Sequence, residues 1–103
     1  MRGGDIKTVI LNFNYNNAIR QASQIESVAG ELRGLANNRL SGALGSVNAA
    51  WDGEASKLFL NHGEETKRRI LMRSEELAEI ARRIRRAASV IRETEERAER
   101  EIK

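Results

Sequence analysis

Catalysis or metal binding needs side chains that hold protons, metal ions or nucleophilic electron pairs, and this chain carries few of them. It has no cysteine and a single histidine, His62, which excludes disulfides, thiolate metal sites and cysteine–histidine nucleophile pairs. His62 falls between Phe59 and Thr66 beside an apolar stripe, where packing or simple exposure accounts for it better than a metal does. The carboxylates are scattered, and several precede an arginine by four positions, as in Glu79–Arg83, Glu93–Arg97 and Glu96–Arg100. That order supports an exposed helix by about 0.2–0.5 kcal/mol per pair. Such carboxylates belong to solvated helix faces, so no enzymatic activity, no cofactor and no small-molecule substrate are expected.

The basic residues are the other chemical feature. Residues 67–92 carry nine basic and three acidic groups, whereas 93–103 carry three basic and five acidic. The stretch "ARRIRRAAS" at 81–89 sets Arg82, Arg83, Arg85 and Arg86 around Ile84. A basic helix can bind phosphates on nucleic acid or a membrane surface. Here Glu75, Glu76 and Glu79 lie one or two turns upstream, and no aromatic platform accompanies the patch, so a solvated face is the better reading. An intracellular basic coiled-coil protein that binds nucleic acid remains the alternative function.

These residues must be positioned by helices. The chain has 103 residues, no proline, 40% hydrophobic residues but only 4% aromatic. One domain interior of Ala, Leu, Ile and Val suits thin helical packing and favours association. Residues 1–13 read as a flexible or extended start. Helix 1 is expected over about 14–46, with Tyr15, Ala18, Ala22, Ile25, Ala29, Leu32 and Ala36 recurring at steps of three and four. Asn37 and Asn38 interrupt the stripe, and Leu40, Leu44, Val47 and Trp51 continue it in a shifted phase. Gly42 and Gly45 predict fraying or termination between 41 and 49. A turn follows at about 47–53. Helix 2 spans about 53–100, capped by Asp52 with Glu54 in its first turn, and Leu77, Ile80, Ile84, Ala87, Ile91, Thr94 and Ala98 repeat the spacing. Ser23, Ser27, Gly30 and Gly34 form a small-residue stripe, readable either as a close contact with a second subunit or as a solvated face.

The only tryptophan stands between the two helices, in "NAAWDGEASKLF" at 48–59. Gly53 can take the unusual backbone angles a turn requires. The indole of Trp51 can cover the helix ends with its N–H at the rim. A cysteine-free helical chain of about this length, with Trp-Asp-Gly at its midpoint, resembles the WXG family of small, early-secreted-antigen-like proteins of type VII secretion systems. The resemblance spans nearly the whole chain from about Ile6 and extends to the context "AAWDGEASKLF".

The resemblance implies an all-α fold: an antiparallel two-helix hairpin dimerising into an elongated four-helix bundle. It implies a homodimer, or a heterodimer with a related small helical protein. The protein would be made in the cytoplasm and exported folded, to the cell surface or beyond, without a cleavable signal peptide. A secretion ATPase would read a bipartite signal. One half is the turn, Trp51, Asp52 and Gly53. The other is a tyrosine followed four residues later by an acid near the end of helix 2, in the partner. This chain departs from that second half. Its one tyrosine, Tyr15, is in helix 1, and in "SVIRETEERAE" Ile91 stands in the aromatic slot with Glu95 as the acid. Export is therefore expected to depend on a related protein with an intact C-terminal element. Ile25, Leu32, Leu77, Ile80, Ile84 and Ile91 are the expected hairpin or dimer seam.

Overall fold

The computed structural model describes the backbone of residues 3–51 and 53–102, with the side chains of Asn12 and of residues 14–51 and 53–101. Every described residue except Trp51 and Gly53 is helical, and no strand occurs among them. Helix α1 runs Gly3–Gly34, a π-helical turn covers Leu35–Leu40, helix α2 runs Ser41–Ala50 and helix α3 runs Glu54–Ile102.

α1 begins at Gly3, so residues 3–13 are helical and not an extended start. The β-branched Thr8, Val9 and Ile10 lower helix propensity by only a few tenths of a kcal/mol each, while extending an existing helix adds one hydrogen bond per residue. Helix also continues through Gly42 and Gly45 to Ala50, past the expected start of the turn at 47. Two glycines cost about 1 kcal/mol each, and the buried Leu44 between them offsets part of that.

The shifted phase in the sequence has a physical cause. At the end of the π turn the Ser41 N–H and its hydroxyl both donate to the Ala36 carbonyl, five residues back, the hydroxyl at 3.0 Å. The wider turn absorbs one extra residue. Between Ser27 and Ala50 the buried positions Ala29, Ala36 and Leu44 are consequently spaced seven and eight apart, and still face one way.

The chain divides into two compact units. In the first, Met1–Glu26 with Glu79–Lys103, Ala22 and Ala81 are buried. There Arg85 bonds both Ser23, at 3.0 Å, and Glu26, and the Arg92 guanidinium lies 4.6 Å from the Tyr15 ring centre. In the second, Ser27–Ala78, Ala29, Ala36, Leu44, Ser56 and Ser74 are buried. Leu44 fills the notch left by Gly63, Arg33 approaches Glu75 at 3.6 Å, and the two serine hydroxyls donate to the carbonyls of Gly53 and Leu71. Small side chains thus fill both interiors.

Leu44 apart, the larger aliphatic residues among those described stand beside this core, not in it. In the second unit Val28 and Leu35 each precede a buried alanine and are exposed; in the first, Ile80 precedes buried Ala81 and is exposed as well. One residue is about 100° around a helix, so each helix carries a second apolar seam about a quarter-turn from the first. Of the expected seam, Ile25, Leu32, Leu77 and Ile84 are half-buried between the two faces, while Ile80 and Ile91 point outward.

Candidate interaction site at the turn and the outer seam

At the turn, Trp51 adopts an extended backbone (φ −115°, ψ 148°) after its N–H closes the last turn of α2 on the Val47 carbonyl at 2.9 Å. Gly53 has φ 105°, the left-handed region expected of it. Its carbonyl accepts from the Ser56 hydroxyl at 2.8 Å and from the Lys57 N–H at 3.3 Å, which starts α3. Asp52, expected as the cap and as part of the turn signal, lies outside the described residues.

The indole does not plug the end of the helices. Trp51 is 61% exposed and leans on Phe59, ring centres 6.4 Å apart and tilted by 47°. Phe59 and its neighbour Leu58 are exposed too, so the second turn of α3 adds apolar surface beside Trp51. Leu58 and Phe59 were legible only as helix-seam residues; their exposure beside the tryptophan comes from the orientation of α3.

The second expected element lies on α3. Ile91 is 57% exposed and Glu95 is exposed, one turn apart on one face. Tyr15 is half-buried in the same unit against Arg92, whose Nε donates to Glu96 at 3.1 Å. The chain's one tyrosine ring therefore sits beside the residue that follows Ile91.

The basic block is largely partnered. Arg82 reaches Glu79 at 2.8 Å, Arg83 reaches the same carboxylate at 3.4 Å, and Arg85 is held by Glu26. Hydrogen bonds from Arg82, its charge, and the weaker influence of Arg83 hold the Glu79 carboxyl below the ordinary glutamate range. A nucleic-acid reading needs these guanidinium groups for phosphates, and three of them already face carboxylates.

His62 is exposed, and no group of three or more His, Cys, Asp or Glu among the described residues could hold a metal ion. The two glycines of the small-residue stripe are not points of close helix approach: a Cβ atom built on Gly30 would touch nothing, and on Gly34 would reach only Asn38. The glycine that allows close approach is Gly63, which the spacing of apolar residues did not single out. No described helix is long and apolar enough to cross a membrane. Comparison with protein-family models, with curated proteins and with solved structures finds no match to this chain.

Proposed function

We propose that this chain is a small WXG-type protein of a type VII secretion system, an antiparallel helical hairpin that acts by dimerising and by presenting Trp51 to the export machinery. It serves as an exported substrate, or as the partner that targets or chaperones one. The observation that carries this reading is the exposed indole. A tryptophan adds most to stability when buried and risks aggregation when bare, so an open one at a fixed turn, backed by Phe59, is suited to insertion into a partner's pocket. The uncovered aliphatic seam supports association with a second helical subunit.

The decisive experiment is export of the tagged protein from a type VII-competent cell, with and without its secretion ATPase, for wild type and Trp51→Ala. Wild type should leave the cell only when the ATPase is present. Trp51→Ala should stay inside while keeping its helicity, because so exposed a side chain contributes less than the ~3–5 kcal/mol of a buried tryptophan. Export independent of the ATPase, or normal export of the variant, removes the recognition role.

A further inference from the structure

We infer that the π turn at Leu35–Leu40 makes α2 a two-register element, whose change of register re-aims Trp51. The residues after Ala36 carry two overlapping apolar stripes. One is Leu40, Leu44, Val47 and Trp51; the other is Leu40, Ala43, Val47 and Ala50. Leu40 and Val47 belong to both and are half-buried, so the registers differ in whether Leu44 or Ala43 faces α3. In the structure Leu44 is buried in the notch at Gly63, while Ala43 is exposed. That register needs the π turn, because Leu44 stands eight residues beyond Ala36. The other register needs none. Ala29, Ala36, Ala43 and Ala50 are seven apart, the spacing that an unbroken α-helix keeps on one face.

The observed register is held by Leu44 in its notch, by the Ser41 hydroxyl on the Ala36 carbonyl at 3.0 Å, and by Trp51 leaning on Phe59. Little else resists the change. Asn37, Asn38 and Arg39 within the turn are exposed, so tightening it drags no buried side chain along. Tightening by one residue rotates α2 by about 100°. Ala43 then takes the place opposite Gly63 and Leu44 turns outward. Trp51 is tied to the Val47 carbonyl at 2.9 Å, so it is carried with α2 and away from Phe59. The notch admits one side chain or the other, which makes the two registers discrete.

A partner that draws the indole off Phe59 selects the α register, and one that grips Trp51 and Phe59 together selects the π register. This consequence rests on the partner-binding role proposed for Trp51; the switch itself does not.

The chain has one tryptophan, so a single fluorine label reports the switch. In protein carrying fluorotryptophan and labelled leucine methyls, the NMR signals of Trp51 and Leu44 should exchange at one common rate on the microsecond-to-millisecond scale. The minor population should be on the order of 1–10%. Ser41→Ala and Phe59→Ala each remove one contact of the π register and should raise that population severalfold. Gly63→Ala, which evicts Leu44, should make it the major one. Deleting Asn38 sets Leu44 seven residues from Ala36 without a π turn, and should abolish the shared exchange while helicity is kept. Absence of exchange in both wild type and Ser41→Ala overturns the inference. So does exchange that survives the deletion, or that runs at different rates for Trp51 and Leu44. Ser41→Ala and Phe59→Ala spare the notch, so they decide the matter even where Gly63→Ala fails to fold. None of these outcomes alters the export test of Trp51→Ala, which judges the proposed function separately.

Discussion

Single side chains decide where this chain is stable and where it is responsive. Glu79 is the residue whose ionisation is most clearly perturbed, held below its ordinary range by Arg82 first and Arg83 second. Its folded pKa is depressed, so its contribution is present above the unfolded-state value and is lost as pH falls through the lower, folded one. The titration midpoint of Glu79 in the folded protein, followed by NMR, should lie below that of an ordinary glutamate and rise in Arg82→Gln; equal midpoints in the two proteins would remove Arg82 as the cause. Both side chains are about half exposed to water, so the pair's effect on overall stability should be small. Two glycines give a sharper contrast. A methyl on Gly30 meets open space, so Gly30→Ala should gain close to the ~1 kcal/mol of helix propensity. A methyl on Gly63 collides with Leu44, and displacing a buried leucine costs about 1–3 kcal/mol, enough to cancel or reverse that gain. Urea unfolding should rank Gly30→Ala above wild type and Gly63→Ala at or below it, with Leu44→Ala removing the penalty at 63. The opposite ranking would mean that Leu44 does not occupy the notch.

The elements show which features the sequence carried openly. Helical periodicity without proline made both long helices legible, and Gly53 was recognisable as the turn residue that needs a positive φ. The slip after Ala36 was visible as a change of phase, but the change alone does not distinguish a broken helix from a widened one. The distinction depends on Leu44 finding a buried place opposite Gly63, a tertiary contact that local pattern does not contain. The same limit applies to the seam. Heptad spacing identified Ile80, Ile84 and Ile91 as one apolar stripe of α3, yet the alanine enclosed there is Ala81, one position on from Ile80, whereas on the N-terminal side the stripe positions Ala22, Ala29 and Ala36 are themselves the buried ones. Small residues permit the closest helix approach, and closeness outweighs side-chain size in choosing the inner face. Of the interaction site, Trp51 and Gly53 were legible and the exposed Phe59–Leu58 flank was not. The π turn yields its own prediction. Deleting Asn38 should convert it to ordinary α-helix and restore seven-residue spacing throughout, leaving the melting temperature nearly unchanged or higher. Deleting Gln24 from regular helix should rotate everything beyond it by about 100° and lower the melting temperature sharply. Equal losses from both deletions would show that the π turn is not a phase correction.

On the scale of the molecule, too little apolar surface is buried for the chain to be comfortable alone. Alanine and serine interiors gain little, at about 0.8 kcal/mol per buried CH₂, while Val28, Leu35, Ile80, Val90 and Ile91 remain in water. A second helical subunit on the outer seams would convert that exposure into stability and would leave Trp51 free for another partner. Unfolding should therefore depend on protein concentration, because subunits that stabilise each other separate on denaturation. The most direct test is sedimentation equilibrium of the purified chain from about 1 to 100 µM, alongside an Ile80→Asp/Ile91→Asp variant with unchanged helicity at its highest concentration. Wild type should show twice the monomer mass over the upper part of that range, and the variant should remain a monomer. A wild-type monomer at every concentration, or a dimer indifferent to aspartate at both outer-seam positions, would contradict the account.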